Sequence, residues 1–375
     1  MKFIKLSLVA TIAISSAIAG GDITSTQSTV ATSAISNDDC NTTTTINGKL
    51  TAYYYTDDSI DLFDKDGSQL GLGATLDITH KFNTNISINF SAVGYVNAMK
   101  KPNAFYMEGS KNGAFFNVAN ITLNYADTTL IAGRQLLDTP MLGSFDWLLS
   151  LGAFEAYTIS NNSFKDITLV ASYVRTMRDN NTGDDFNELD GDNWTLGAVY
   201  DDKTILANLW YYNIDAANYT QVYLDAGYNF GSFAAAAQYV MTDYDVGNDS
   251  NLFAIKATTT LGGFDFLVAY SNVSDRVAGF VGRDTIYTSS WNTFASTSEG
   301  DAFKVEASTN YDGLSATASY AYYEYAQGSD EGHEFDLILG YEFSKTIDAN
   351  LVFTNTDYGI GDTINALEIY TNYKF

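Results

Sequence analysis

The sequence predicts an all-β chain that closes as a transmembrane, antiparallel, up-and-down β-barrel of 18 strands, with 16 as the alternative count. Three observations predict this fold. From residue 46 to the end, apolar residues alternate with small or polar ones, which is the pattern of strands with one apolar and one wet face. After residue 19 no window approaches the roughly twenty apolar residues of a spanning helix, so a membrane crossing requires a closed barrel. The last strand also ends on an aromatic residue, Phe375.

The first 19 residues have the features of a signal peptide. Lys2 and Lys5 precede an apolar run at 6–18, and residues 17–19 have the small-x-small form that precedes cleavage. We expect export, with the Ser-, Thr- and Asn-rich residues 20–46 as a polar, disordered periplasmic segment. The barrel is predicted to occupy residues 47–375. Cys40 is the one cysteine, so no disulfide framework is expected.

Charge and composition restrict the class of function. Without Lys2 and Lys5 the chain has 17 basic and 45 acidic residues, a net charge of 17 − 45 = −28. Nucleic acid would be repelled by this charge, whereas cations would be attracted. The 27 Tyr, 23 Phe and 29 Gly, with only two Pro, are typical of a sheet-rich chain.

The alternating segments follow one another through the chain. In residues 70–79, for example, five apolar residues share one parity, and Gly, Thr and Asp occupy the other. Strands are predicted to begin near residues 47, 69, 85, 115, 128, 153, 167, 193, 204, 220, 232, 251, 264, 301, 314, 333, 347 and 364. A soluble β-sandwich has the same alternation, so the pattern alone does not decide the environment. A barrel of 16 to 18 strands would enclose an aqueous lumen.

The connections between these segments favour a barrel in a membrane. Short turns, as at 126–127, 262–263 and 312–313, alternate with longer and often acidic loops, as at 136–152 and 272–300. Short periplasmic turns and long external loops are typical of outer-membrane barrels. Tyr or Phe recurs where the apolar faces end, as at Tyr228 with Phe230 and Tyr341 with Phe343, and such residues form aromatic girdles at membrane interfaces.

The closing strand has two distinct faces. Leu367 and Tyr373 share a parity with Phe375, whereas Glu368 and Asn372 share the other. We therefore expect the first set to face lipid and the second to face the lumen. The free edge of this strand should pair with the first strand of the barrel.

Residues 130–141, LIAGRQLLDTPM, are followed by FDW at 145–147 and FEAY at 154–157. This segment resembles OprD-type porins and, more closely, the major outer-membrane porins of epsilon-class proteobacteria. The resemblance implies an 18-stranded porin for small hydrophilic solutes, with loop 136–152 folded into the lumen and frequent assembly as a trimer. The Arg-rich lumenal ladder that OprD-type porins use for acidic solutes is missing, because the 19 Lys and Arg residues are scattered. General diffusion with a cation bias fits this chain better.

Five charged residues are the candidates for a pore constriction. Asp138 and Asp146 would supply its negative side, and Arg134, Lys256 and Lys304 its positive side, giving a transverse field that orients polar solutes. The alternative for each is a solvated lumen or loop charge without a specific role. Whether Arg134 faces lipid or lumen stays open, because its strand can be read in either parity.

No cofactor is expected, with calcium as the one alternative. The weak candidates for it are carboxylates of one acidic loop, Asp184, Asp185, Asp190 and Asp192. Solvated loops, or bridging of lipopolysaccharide through divalent cations, explain them more simply. An enzyme is not expected, because His80 and His333 are the only histidines and no Gly-x-Ser-x-Gly element lies near either.

The leading hypothesis is therefore a cation-biased porin of the bacterial outer membrane. Its expected partners are outer-membrane lipids, lipopolysaccharide, small hydrophilic solutes and further copies of the chain in a homotrimer. A surface adhesin or structural barrel without channel activity is the alternative, favoured if segment 272–300 were the main external feature. A secreted, non-barrel β-protein is the third class.

Overall fold

Eighteen antiparallel strands close into a barrel in a computed structural model of the chain. The structure describes residues 35–37, 42–101, 104, 106–107, 111–144, 147–275, 279, 285–297, 299–325 and 330–375. The barrel strands are β1 (Thr42–Asp57), β2 (Gln69–Lys81), β3 (Ile86–Asn97), β4 (Gly113–Tyr125), β5 (Thr128–Gln135), β6 (Ala153–Phe164), β7 (Ile167–Arg178), β8 (Asn187–Asp201), β9 (Ile205–Ile214), β10 (Tyr219–Asn229), β11 (Phe233–Tyr244), β12 (Ser250–Leu261), β13 (Phe264–Val273), β14 (Gly300–Tyr311), β15 (Leu314–Tyr323), β16 (Gly332–Ser344), β17 (Ile347–Asp357) and β18 (Ile364–Lys374). The predicted signal peptide and Cys40 lie outside the described residues.

The barrel closes where its first strand meets its last. Strand β1 pairs with β2 along one edge and with β18 along the other, and Lys49 lies opposite Lys374 at this seam. Gly48 and Phe375 exchange two backbone hydrogen bonds of 2.8 and 2.9 Å. The predicted closed barrel is therefore confirmed, and the strand count is 18 rather than 16.

Two strands begin earlier than the alternation predicts. Strand β1 begins at Thr42 rather than at residue 47, and the short strand Ile35–Asn37 pairs with its first residues. Strand β8 begins at Asn187 rather than at residue 193, because its pairing with β7 continues past a bulge between Val174 and Thr176. Val174 is opposite Asn193 and Thr176 is opposite Glu188, so β8 advances five residues while β7 advances two. The parity of β8 reverses there, which conceals its first residues in a simple alternation count.

The two rims of the barrel differ in the length of their connections. At the turn rim, hairpins use residues with positive φ, such as Gly262 (64°) followed by Gly263 (86°), as two-residue turns require. The loop rim has nine connections, L1 (58–68), L2 (98–112), L3 (136–152), L4 (179–186), L5 (215–218), L6 (245–249), L7 (274–299), L8 (324–331) and L9 (358–363). L3 contains a small hairpin, Asp138–Thr139 with Leu142–Gly143, and L5 and L7 contain the 3₁₀ turns Asp215–Ala217 and Ala295–Thr297.

The outer face of the barrel is apolar and the inner face is polar. In β12, Phe253 and Ile255 point outward and are about half exposed, whereas Lys256 points inward and is 5% exposed. Aromatic rings gather at the turn rim, where Tyr228 and Phe230 lie 4.7 Å apart. Within the described ranges, no helix has the length and apolar character needed to cross a bilayer.

The buried core lies inside the barrel, between its wall and three inward loops. One apolar cluster joins L3 and L7 to the wall from β6 to β15, with Met141, Trp210 and Tyr287 among its members. A second cluster joins L2 and L3 to the wall at β1, β3, β4 and β18, with Tyr106 and Leu149 among its members. These clusters fix the loops whose polar groups form the site.

Candidate functional site

The inner wall carries more carboxylates than ammonium groups. Directly opposed residues of antiparallel strands share a face, so the register assigns each side chain to the lumen or the outside. The inward carboxylates are Asp57, Asp77, Asp201, Asp225, Asp265, Glu306, Glu334, Asp336, Glu342, Asp348 and Glu368. The inward lysines are Lys49, Lys81, Lys256, Lys304 and Lys374. Asp225, Glu334, Asp336 and Glu368 are buried, as are Lys256, Lys304 and the inward Arg178. The seven remaining inward carboxylates outnumber the three remaining lysines, so the accessible lumen is net acidic.

Loop L3 enters the lumen and packs on its wall. Met141 and Leu142 are buried, and the Met141 backbone N–H donates to the hydroxyl of Tyr212 on β9 (3.2 Å). At the other end of L3, the guanidinium of Arg178, the last residue of β7, donates to the Ser150 hydroxyl at 3.2 Å. The amide of Asn180 in L4 donates to the carbonyls of Trp147 and Ser150, both at 2.9 Å. Because both ends of the loop are bonded to the barrel, L3 crosses the interior instead of standing above it.

The second part of L7, residues 285–297, also lies inside the barrel. Thr285 donates to the Pro140 carbonyl of L3 at 3.1 Å, so the two loops touch. The Tyr287 hydroxyl donates to Asp225 at 2.6 Å, and burial together with this carboxylate raises the pKa of Tyr287, which keeps its hydroxyl a donor. Residues Ile286 to Ser290 are almost completely buried. L7 is therefore part of the lumen lining.

Carboxylates of β16 hold the tip of L7. Glu334 accepts hydrogen bonds from the Asn292 backbone N–H (2.6 Å) and the Thr293 hydroxyl (2.7 Å). Asp336 accepts from the Trp291 backbone N–H at 3.3 Å. Both side chains are almost fully buried, so these bonds satisfy polar groups of the tip and fix it against the wall.

L3 and L7 meet at Glu368 of the closing strand β18. Its Oε1 accepts from the Trp291 indole N–H of L7 (2.8 Å), and its Oε2 accepts from the Trp147 indole N–H of L3 (3.3 Å). The hydroxyls of Tyr53 and Tyr370 also donate to Oε2, at 3.0 and 2.8 Å. Glu368 is 5% exposed. One wall carboxylate thus contacts both loops.

The structure places the predicted constriction residues in different surroundings. Asp138 is exposed in the hairpin of L3, and Asp146 lies outside the described residues. Lys256 and Lys304 face the lumen but are covered by L7. The Lys256 ammonium is 4.1 Å from the Tyr287 ring centre, and that of Lys304 donates to the Ser289 carbonyl at 2.9 Å. Both lysines therefore support L7.

Arg134 is not brought together with these lysines. It lies opposite Ala119 and Glu155, on the same face as the exposed Leu130 and on the outside of the barrel by register. Its guanidinium donates to Glu155 at 2.9 Å and lies 3.9 Å from the ring centre of Phe186 in L4. The Gly-Arg-Gln segment thus joins the outer face to L4.

The four calcium candidates do not gather into a site. Asp184, Asp185, Asp190 and Asp192 are all exposed, and Asp192 accepts from the Tyr173 hydroxyl at 3.1 Å. Among the residues that the structure describes, no group of three or more His, Cys, Asp or Glu side chains is arranged to hold a metal ion. Solvated loop charges describe these residues best.

Sequence reasoning missed L7 and the role of Glu368. It assigned the constriction to L3 and read segment 272–300 as an external loop, although it placed Glu368 on the lumenal face. A signal was present, because residues 285–297, TIYTSSWNTFAST, contain no charged residue, whereas the other long loops L1, L2 and L3 all contain charged residues. An uncharged segment rich in hydroxyl and aromatic groups is suited to packing against a polar wall.

Comparisons with known proteins agree with this architecture. A family model described as Gram-negative porin matches residues 10–361. Three Pseudomonas aeruginosa structures each cover 88% of this chain: OccD3 (OpdP) at 15% identity and TM-score 0.73, OccK9 (OpdG) at 15% and 0.76, and OpdK with vanillate at 14% and 0.75. The chain covers 91%, 98% and 98% of them, respectively. At these identities the likeness concerns the fold. No curated protein matches the chain.

Proposed function

The chain belongs to the Gram-negative porin family, and we propose that its outer-membrane channel passes small hydrophilic solutes and ions by passive diffusion with a preference for cations. The acidic inner wall is the observation that carries the preference. A lumen lined by one sign of charge concentrates ions of the opposite sign and repels ions of the same sign.

The constriction of this channel is formed by L3 and L7 together. L3 supplies the exposed carboxylate of Asp138, and L7 covers the lysines of β12 and β14. An ion that passes L7 therefore meets hydroxyl and carbonyl groups where the bare wall would present Lys256 and Lys304. L7 also covers Asp225, Glu334 and Asp336. The cation bias therefore rests on Asp138 and the accessible carboxylates of the wall, and Arg134 has no part in it.

The course of L7 also bears on the alternative functions. A surface adhesin needs its long loop outside the barrel, whereas residues 285–297 pack on the inner wall. The acidic lumen also disfavours dedicated uptake of carboxylate-bearing solutes. We also propose export by residues 1–19, assembly of three barrels, and a periplasmic location for the part of segment 20–46 that precedes β1 at Thr42. Closeness to the epsilon-class porins stays a prediction.

Planar-bilayer recording of the detergent-purified protein tests the channel. Ohmic current steps are expected, and in a salt gradient the reversal potential should have the sign of a cation-selective pore. Anion selectivity would contradict the proposed preference, and membranes without current steps would contradict channel activity.

Asp138→Asn tests whether L3 contributes to the selectivity. A carboxylate about 4 Å from an ion interacts by about 1 kcal/mol even in bulk water, so the cation-to-anion permeability ratio should fall roughly two- to fivefold. Asp184→Asn is the matched control, because it removes the same charge from the exposed loop L4. Equal selectivity of the two variants would remove Asp138 from the ion path.

A further inference from the structure

Glu368 accepts more hydrogen bonds than its position on the inner wall of a porin requires. Its four donors are all aromatic: two indole N–H groups and two phenol hydroxyls, at 2.8 to 3.3 Å. The side chain is almost fully buried inside the barrel. Burial of a carboxylate is costly unless hydrogen bonds compensate it, and here these four donors do so.

The four donors come from three places in the barrel: the seam, L3 and L7. Tyr53 and Tyr370 lie on the two strands of the seam, with ring centres 4.8 Å apart. Trp147 belongs to L3 and Trp291 to L7, and the two indoles bond to different oxygens of the same carboxylate. A single side chain on the seam thus contacts both loops of the constriction.

We propose that Glu368 is the positioning residue of the constriction, and that its carboxylate couples L3 to L7 so that the two loops keep one common geometry. This inference rests on the proposed function, since it assigns a cause to the width of the same channel. The width of the channel then depends on the contact that both loops make with Glu368, as well as on the attachment of each loop to the wall.

The chemistry of a carboxylate explains why Glu is needed at this position. Two oxygens with about four lone-pair sites accept all four donors, whereas the amide of Gln offers one oxygen and two N–H groups. In Glu368→Gln, at least one indole or hydroxyl would face an N–H group and lose its acceptor. A buried donor without an acceptor is destabilised by roughly 1–3 kcal/mol, so the loop that carries it should move.

The barrel itself should tolerate this change. The tip of L7 keeps its bonds to Glu334 and Asp336, and L3 keeps its bonds to Asn180. The variant should therefore fold and conduct. Trp147 of L3 and the tip of L7 should move independently, because the remaining bond from Thr285 to the Pro140 carbonyl joins the two loops at another place. Independent motion in a narrow pore appears as additional conductance levels and as excess current noise in the open channel.

Glu368→Gln should therefore show open-channel noise at least twofold above wild type, with transitions between conductance levels. Asp265→Asn is the matched control, because it also removes one inward carboxylate but lies at the turn rim, where Asp265 accepts from Thr260. The control should conduct as quietly as wild type. Equal noise in both variants would overturn the coupling.

Two indole variants separate coupling from general loosening. Trp147→Phe and Trp291→Phe each remove one donor to Glu368, and each should raise the noise in the wild-type background. Neither should add noise in the Glu368→Gln background, where the coupling is already lost. Additive effects there would overturn the inference even if the channel is cation-selective, whereas anion selectivity of the wild type would contradict only the proposed function.

Discussion

The hydroxyl of Tyr323 on β15 lies within hydrogen-bond distance of three groups of L7: the Thr288 and Thr293 carbonyls, both at 3.0 Å, and the Ser290 hydroxyl at 2.9 Å. Such contacts show how single residues of the wall select the path of a loop. L7 has polar backbone groups that must be satisfied once it leaves water. Hydroxyl and carboxylate groups of the wall satisfy them, so the lumen wall acts as a template for L7.

Gly197 is a second residue of the wall that helps to position a loop. Gly197 on β8 lies against the face of the Trp210 indole, and a Cβ there would overlap the ring. Trp210 lies 6.2 Å from Tyr212 in a stacked arrangement, and Tyr212 in turn accepts from L3. The missing side chain of Gly197 thus makes room for the aromatic support of L3.

Gly197→Ala should lower the free energy of unfolding in detergent by roughly 1–3 kcal/mol, the usual cost of overpacking a dense core. Displacement of Trp210 should also change the single-channel conductance through L3. Gly94→Ala is the control, because the nearest atom to its added Cβ would be 4.0 Å away. Equal unfolding midpoints for the two variants would show that Trp210 relaxes without cost.

The turn between β8 and β9 is stabilised by hydrogen bonds to one side chain, Asp202. The Asp202 carboxylate accepts from the backbone N–H groups of Thr204 and Ile205, at 2.9 and 2.7 Å, and from the Tyr200 hydroxyl. Hydrogen bonds from Ile205, Thr204 and Tyr200 to its charged form, in that order of size, lower the pKa of Asp202 below its ordinary value of 3.8. The turn is thus stabilised by the ionised side chain.

Because the pKa of Asp202 is lower in the folded than in the unfolded chain, its contribution is complete above about pH 4 and is lost as the pH falls through the folded value. A ¹³C NMR titration of the Asp202 carboxyl carbon in detergent should give a midpoint below 3.8. Asp202→Asn should keep the turn but lose this titration, since its amide oxygen still accepts. A midpoint at or above the ordinary value would contradict the hydrogen-bonded turn.

At the scale of the whole molecule, the barrel depends on contacts between residues far apart in sequence. The seam joins the first barrel strand to the last, so pairing of β1 with β18 before the intervening strands form would close a very long loop. Closure of a long loop has an unfavourable entropy that shorter hairpins avoid. At the end of the seam, the Phe375 ring lies over Gly48, and a Cβ at Gly48 would overlap it. Aromatic cover of a strand glycine stabilises sheet register.

Gly48→Ala should slow closure of the barrel, because the added methyl group displaces the Phe375 ring from the seam. The measurement is the rate at which the heat-modifiable, folded band appears on gels after dilution from urea into detergent. We expect a severalfold lower rate than for Gly94→Ala, which adds the same methyl group away from the seam. Equal rates would show that the ring does not take part in closure.

The sequence predicted the barrel well because its signals are periodic. Alternation depends only on the wet and apolar faces of each strand, so even the weakly patterned strands β5 and β6 begin where expected, at Thr128 and Ala153. The site was harder to predict, since the contacts of Glu368 join residues 53, 147, 291 and 370. No local sequence pattern predicts contacts between residues so far apart. The alternation predicted only that Glu368 faces the lumen.

Because L7 covers two lysines, a count of the inward charged side chains does not by itself give the electrostatic potential in the pore. Such a count gives Lys256 and Lys304 full positive charges that offset the charges of two carboxylates. Lys256 and Lys304 are only 5% and 2% exposed, and their ammonium groups contact Tyr287 and Ser289 of L7. Water-filled space therefore adjoins a neutral peptide surface there. The profile of potential along the pore axis therefore depends on the folded loop as well as on the wall, and a homologue with the same wall but a different L7 sequence should select ions differently.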